Sequence, residues 1–518
     1  MRVALTVADF LDRAALVYGH RTAVVDEPGV PGSLGTLTYA DVSDRARGVA
    51  QALEGLGVEQ GERVAIVSPN SGRFLISYFG VSGYGRILVP INFRLTADEI
   101  AYVVEHSGAS VLLYDPDLAD EVDSIKVGHK IRLDGEEDAA LFAPAEPGVE
   151  PQAWEPDEDA TCSVNYTSGT TARPKGVQLT HRNCWLNAAA FGWHTGVSDR
   201  DVLLHTLPMF HCNGWGMPYA VTGMGGAHVV LRKVDGEEIL NRIERHGVTL
   251  LCGAPAVVAA ILGAAEARSA AGRAVPGRGT VRMVVAGAPP PSKTIERIET
   301  ELGWEFIQIY GLTETAPLLT INRAPAEWDA LSAGERSQLL SRAGAPAIGV
   351  RIEVDGEGEV LAQSNHVFAG YWEQPDETAK AFDGGWFHTG DGGYLDGAHV
   401  VISDRKKDVI ITGGENVSSI EVEDCLYQHP AVAEVAVIGV PDEKWGETIK
   451  ALVVVRPDAN ADAVSEEDLI AHCRDRMAHF KAPTSVEFRS ALDRTATGKL
   501  QKYKLRQPYW AGREKAVN

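Results

Sequence analysis

"YTSGTTARPKGVQLTHRN", residues 166–183, sets Thr167, Ser168, Thr170 and Thr171 around Gly169 and follows them with Arg173, Lys175 and Gly176. The span begins beside a run that reads as a strand. Hydroxyl side chains, backbone N–H groups and a lysine on one turn make a concave donor surface for phosphate oxygens. It is not the common nucleotide-binding loop G-x-x-x-x-G-K-[ST], because Pro174 stands where that loop has its second glycine. A Ser/Thr/Gly loop alone is also ordinary chain punctuation. Its meaning therefore depends on what surrounds it.

Outward from that loop, short β-branched runs alternate with longer helical patterns. "RVAIVSPN", "ASVLLYD", "AHVVLR", "VTLLCGAP", "VRMVVAGAP" and "EFIQIYG" read as strands, several ending in Gly, Pro or Asn. "YADVSDRARGVAQALEGLG" carries apolar residues at helical spacing and ends in glycine. Alternation of this kind predicts an α/β fold of helix-flanked, largely parallel sheets, with ligands at the C-terminal ends of the strands. After about residue 404 the texture changes. "SSIEVEDCLYQH" and "SEEDLIAHCRDRM" read as helices, and "VAEVAVIGV", "TIKALVVV" and "SVEFR" as strands. The expected organisation is a large N-terminal domain over residues 1–403, a hinge at 404–408, and a small α+β C-terminal domain over 409–518.

The 518-residue length suits several folded units with a cleft between them. Forty-eight basic against 71 acidic residues leave a formal charge of −23. So acidic a chain argues against nucleic acid or an anionic membrane as partner, since both need basic patches. Positive contacts to an anionic ligand must then be local. The C-terminal stretch "QKYKLRQPYWAGREKAVN" is either one such place or a solvated basic tail. Six cysteines at 162, 184, 212, 252, 425 and 473 show neither CxxC nor zinc-ligand spacing, which fits reduced thiols in a cytoplasmic protein. Asp9, Asp12 and Arg13 interrupt any secretory apolar run, and no window of about twenty apolar residues predicts a membrane span.

Three further segments follow the loop in order. "IQIYGLTET" sets Tyr310, Thr313 and Glu314 past a strand, "WFHTGDGGYLDG" sets Asp391 in a glycine turn, and "DRTATGKLQK" sets Lys499 in a loop near the C-terminus. With these segments the chain resembles, over nearly its whole length, the adenylate-forming superfamily and its AMP-dependent acyl-CoA synthetases.

That resemblance implies ATP, Mg²⁺ and coenzyme A as ligands, and a small-molecule carboxylic acid as substrate. Thr167, Ser168, Gly169, Thr170, Thr171 and Lys175 would hold the β- and γ-phosphates. Glu314 would be the Mg²⁺ ligand, a carboxylate for a hard cation, and Thr313 would donate to the α-phosphate. Tyr310 and Gly311 would lie at the adenine, beside the small residues Gly287, Ala288 and Pro289. Asp391 would accept the ribose hydroxyls with help from Arg405. Lys499 would be the catalytic group, relieving repulsion between the attacking carboxylate and the α-phosphate. Two departures from the family pattern stand out: Asp493 replaces a usual proline, and Ala172 a usual glycine.

The resemblance further implies that the small domain is mobile. It would turn about Lys407, so that Lys499 serves adenylation and Gly413 with Gly414 then line the pantetheine channel. In "LPMFHCNGWGMPYAVTGMGG", His211 would border the acyl pocket and the thiol channel, and Trp215 would match a residue gating a fatty-acyl tunnel. The reading is an AMP-forming acid–CoA ligase for a medium- or long-chain fatty acid, cytoplasmic, and a homodimer as many relatives are. The alternatives are an adenylating enzyme for an aryl or cinnamyl acid or another oxyanion in secondary metabolism, with CoA or a different acceptor, and a non-catalytic scaffold. Intact Lys499, Glu314, Asp391 and Lys175 speak against the scaffold, and a dinucleotide fingerprint between strand and helix is missing.

Overall fold

The computed structural model describes residues 1–167, 174–287, 290–405, 408–412, 415–442, 445–456, 464–494 and 500–511, apart from the side chains at 404, 405 and 416. Among these residues the strands form four sheets. In the largest, neighbouring pairs are parallel from Glu305–Gly311 through Arg282–Val285, Leu250–Gly253, Val202–His205 and Ala227–Val230 to Thr22–Val25. The second sheet runs parallel through Thr161–Tyr166, Ile87–Ile91, Arg63–Val67, Val111–Tyr114 and His129–Arg132. Val64, Ala65, Ile66 and Val67 are all fully buried, as a parallel strand covered on both faces requires.

The helices covering these sheets follow from their patterns. Tyr39–Gly55 opens with Thr38 and Asp41 capping each other's backbone N–H groups. It buries Val42, Ala46, Val49 and Leu53, one face of an α-helix. Leu53→Ala in that face would cost about 2 to 5 kcal/mol.

Thr161–Tyr166 and Gly176–Thr180 are antiparallel, with Tyr166 opposite Gly176, so the residue-166 loop joins the two strands of a hairpin. The structure differs from the sequence reading in the segment from Val350 to Arg405, which does not continue the α/β alternation. Val350–Val354, Glu359–Ser364, Trp386–Asp396 and His399–Arg405 make an antiparallel third sheet.

The fourth sheet joins Glu415–Val417, Ile410–Thr412, Gly446–Val455 and Val432–Asp442, with Ser485–Phe488 parallel to Gly446–Val455. It has its own core of Ile410, Val422, Leu426, Val435, Val437 and Leu469, under the helices Ser419–Tyr427 and Glu466–Arg474. This small lobe touches the large one where the Ser292 N–H donates to Asp424 Oδ1 at 3.0 Å. The basic C-terminal stretch is no free tail up to residue 511: Lys502–Trp510 is a helix in which Lys502 pairs with Glu423 and Arg506 with Asp408. No helix among the described residues is long and apolar enough to cross a membrane.

Candidate active site

The parallel strands of the largest sheet deliver their C-terminal ends to one region. Glu305–Gly311 ends there in Tyr310 and Gly311, and the tight turn Thr313–Thr315 that follows carries Thr313 and Glu314, both partly buried. Gly287 follows Arg282–Val285 with φ +95°, a conformation that favours glycine. Ala288 and Pro289 lie outside the described residues. Gly311 has a packing reason of its own: a Cβ there would stand 1.6 Å from the Pro317 carbonyl oxygen.

The third sheet brings Asp391 to the same place. The expected glycine turn is instead an eleven-residue strand, Trp386–Asp396, interrupted at Gly390, whose φ is +72°. The register against Glu359–Ser364 shifts at this point, and such a bulge re-aims the next side chain. Glu359 stabilises the bulge by accepting from the Gly390 N–H at 2.8 Å. The re-aimed Asp391 is buried and accepts from the Tyr310 hydroxyl at 2.8 Å. Arg405 stands opposite Asp391 in the backbone ladder, while its side chain is outside the described residues.

At the other end lies the hairpin. The Thr167 N–H donates to the Lys175 carbonyl at 3.0 Å, closing the base of the loop. Ser168, Gly169, Thr170 and Thr171 fall outside the described residues. The Lys175 ammonium meets Glu377 Oε2 at 2.5 Å and lies 4.7 Å from the centroid of the Tyr371 ring. Hydrogen bonds from Lys175 and then Lys380 hold the Glu377 carboxyl down at about 2. The Tyr371 hydroxyl donates to Glu314 Oε1 at 2.9 Å, and the Phe368 N–H to the Glu314 carbonyl at 2.8 Å. Burial, with the Glu314 charge beside it, pushes the Tyr371 phenol well above its ordinary range. Sequence reading missed Tyr371 and Glu377. The run "GYWEQPDET" has the glycine–aromatic and Pro–acid marks of a strand end and a helix start, but its partner loop is about 200 residues earlier.

His211 and Trp215 flank this region on a left-handed turn. Cys212, Asn213, Gly214, Trp215 and Gly216 have φ between 47° and 76°. Each L-residue there costs roughly 1 to 2 kcal/mol relative to the right-handed form. Buried amides hold the turn. Asn165 donates to Asn213 Oδ1 at 3.2 Å, Asn213 to Ser163 Oγ at 2.8 Å, and Asn187 to the Trp215 carbonyl at 3.2 Å. The Cys212 thiol lies 3.8 Å from the Thr313 carbonyl, which sets the turn against the Thr313–Thr315 turn. Trp215 is only 3% exposed, whereas His211 is partly exposed.

Lys407, Gly413, Gly414 and Lys499 lie outside the described residues. The base of the Lys499 loop is described: the Gln501 N–H donates to the Asp493 carbonyl at 2.9 Å, and Arg494 bridges to Leu500. Asp493 thus supports the loop through its backbone. Among the described residues no group of histidine, cysteine and acidic side chains is arranged to hold a metal by itself. A cation at Glu314 would have to share its ligation with phosphate oxygens and water.

The model of the AMP-binding enzyme family matches residues 11–372, and that of the AMP-binding enzyme C-terminal domain matches residues 421–499. The chain is 36% identical to a 2-methylpropanoate–CoA ligase of Humulus lupulus, covering 97% of this chain and 94% of the relative. It is also 36% identical to a 4-hydroxybutyrate–CoA ligase of Metallosphaera sedula, at the same coverage. The crystal structure of an anthranilate–CoA ligase in complex with anthranoyl-AMP superposes with a TM-score of 0.86 at 27% identity, covering 98% of both chains. An o-succinylbenzoate–CoA synthetase from Bacillus subtilis, in complex with its acyl-adenylate, superposes at 0.81 with 28% identity, covering 96% of this chain and 97% of that one. With two family models spanning both lobes and relatives matched from end to end, the chain belongs to the AMP-binding enzyme family, as an AMP-forming acid–CoA ligase.

Proposed function

We propose that the enzyme activates a small monocarboxylic acid, short-chain or compact aryl, in two half-reactions at this site. The observation that supports this most is the line of groups from Asp391 and Tyr310, through the Thr313–Thr315 turn, to Glu314, Tyr371 and Lys175. A hydroxyl-accepting carboxylate stands at one end and a phosphate-binding cation at the other, the polarity a nucleoside triphosphate needs.

In the first half-reaction an oxygen of the acid's carboxylate forms a bond to the α-phosphorus while the bond to the bridging oxygen breaks, and pyrophosphate leaves. In the second the CoA sulfur, having lost its proton, bonds to the acyl carbon, and AMP leaves with the electron pair of the acyl–oxygen bond. Asp391 and Arg405 hold the ribose, Thr313 the α-phosphate, and Thr167 to Lys175 the departing phosphates. Glu314 suits a hard cation, being a partly buried carboxylate with one oxygen fixed by a phenol. Mg²⁺ held there would neutralise phosphate charge. Lys499 brings its ammonium to the anion–anion encounter, and rotation about Lys407 then exchanges it for Gly413 and Gly414. The division at 403, 404–408 and 409 belongs to the same reading.

A short acid is favoured over the fatty acid of medium or long chain. Trp215 fills the position expected to gate an acyl tunnel and is buried. The relatives named above act on 2-methylpropanoate and 4-hydroxybutyrate, and a further one from Arabidopsis thaliana on acetate and butyrate. Assembly as a homodimer and a cytoplasmic location complete the proposal, and light scattering and fractionation test them. The decisive assay incubates the protein with ATP, Mg²⁺ and acids from acetate to palmitate plus benzoates and cinnamates, with and without CoA. AMP and thioester should appear with the short or aryl acids. Activity confined to palmitate would overturn the assignment of a small acid.

A further inference from the structure

Tyr371 touches both ends of the phosphate machinery with different parts of one side chain. It lies in the two-residue strand Gly370–Tyr371, antiparallel to Gly176–Thr180, with Tyr371 opposite Val177. The Trp372 N–H donates to the Gly176 carbonyl at 2.7 Å, directly at the base of the residue-166 loop. The Tyr371 N–H donates to Thr378 Oγ1 at 2.9 Å, tying the strand to the helix Pro375–Ala381. Phe368 packs edge-on against the Tyr371 ring at 4.8 Å and donates its backbone N–H to the Glu314 carbonyl. The ring therefore has little freedom.

From this fixed position the phenol oxygen donates to Glu314 Oε1, and the Lys175 ammonium sits 4.7 Å from the ring centroid. The negative face of the ring attracts the cation, and the positive edge of the O–H orients the anion. Touching both, the ring gives Glu314 and Lys175 one common partner, beside the Glu377 carboxylate that Lys175 also meets. Phenylalanine could keep the cation but not orient the carboxylate, and leucine could do neither.

We propose that Tyr371 is a positioning residue that holds Glu314 and Lys175 apart and aimed at the nucleotide's phosphates, Glu314 for the cation and Lys175 for the phosphate oxygens. The proposal rests on the reading that Glu314 binds Mg²⁺ and Lys175 binds phosphate. Hydrogen-bond partners of a ligating carboxylate typically govern metal affinity by about 10- to 100-fold. A cation–π contact of partly desolvated groups governs phosphate affinity by roughly two- to thirtyfold.

The test is isothermal titration of ATP into the full-length enzyme without acid or CoA, at a series of Mg²⁺ concentrations including none. Y371F should raise the Mg²⁺ concentration for half-maximal tightening about tenfold, and leave Mg²⁺-free ATP binding within about twofold of the parent. Y371L should show the same Mg²⁺ shift and also weaken Mg²⁺-free binding severalfold. E314Q separates the two levels of the argument. If E314Q shifts the Mg²⁺ dependence and Y371F does not, the Tyr371 assignment is overturned while the reading of Glu314 stands. If E314Q shifts nothing, both fall. Y371F keeps the ring and so decides the question even if Y371L does not fold.

Discussion

The hydroxyl of Tyr310, at the end of a parallel strand, donates at 2.8 Å to Asp391 on the bulged strand of a different sheet. This bond fixes where the carboxylate stands. Asp391→Ala should raise KM for ATP about 100-fold or more, because the two charge-assisted hydrogen bonds to ribose proposed for this carboxylate would be lost. Tyr310→Phe removes only the orienting bond and should raise it about tenfold at most. Steady-state kinetics at saturating acid and CoA measure both. An unchanged KM in Asp391→Ala would remove the nucleoside assignment.

Lys175 pairs with Glu377, so under the proposed role of Lys175 the phosphate of an arriving nucleotide would compete with a carboxylate already in place. Glu377→Gln should therefore lower KM for ATP about two- to fivefold, the scale of a solvent-accessible ion pair, and Lys175→Ala should raise it. The pH dependence follows from the depressed Glu377 carboxyl. A group whose folded value lies below its unfolded one keeps its interaction above the unfolded value and loses it only as pH falls toward about 2. The ratio of variant to parent KM should be constant from pH 6 to 9. A ratio that drifts across this window would assign the competition to another group.

Much of this site was legible in the chain. The strand Glu305–Gly311 and its turn follow from "EFIQIYGLTET", where a β-branched run stops at a glycine. Lys175 and Glu314 were legible as charges beside such turns. Tyr371 and Glu377 were not, because their roles come from pairing Gly370–Tyr371 with Gly176–Thr180, a contact across almost 200 residues that no local pattern records. The hairpin was hidden for a similar reason. Gly176–Thr180 has an apolar alternation too short to tell from the start of the helix His181–Thr195. Asp391 was placed in a turn because glycines read as turns, whereas here they permit a bulge within a strand.

Lys499 should divide the two half-reactions. Lys499→Ala removes the ammonium expected to meet the α-phosphate and should slow pyrophosphate exchange about 100- to 1,000-fold, the usual loss for one electrostatic donor. Thioester formation from a supplied acyl-adenylate should fall less than about threefold, since in that step the attack falls on the acyl carbon and the phosphate departs instead of being attacked. Equal losses in both half-reactions would show that the lysine supports the fold of its lobe rather than the chemistry.

Trp215 tests the acyl end, and its backbone makes the experiment interpretable. At φ +60° glycine carries no steric penalty, so Trp215→Gly relieves roughly 1 to 2 kcal/mol of strain while losing about 3 to 5 kcal/mol of buried indole. The net cost, about 1 to 4 kcal/mol, should lower the urea midpoint without abolishing folding. The space released lies beside the turn that the Cys212 thiol joins to Thr313, where an acyl chain leading from the α-phosphate would run. Two further methylenes buried there are worth about 1.6 kcal/mol. The kcat/KM ratio of hexanoate to butyrate should thus rise about tenfold in Trp215→Gly. Trp215→Phe, smaller than tryptophan yet still strained at positive φ, should show a lesser rise. If the glycine variant folds, binds ATP normally and keeps the parent's chain-length ratio, the indole does not limit the acyl group, and specificity must be sought on the His211 side of the turn.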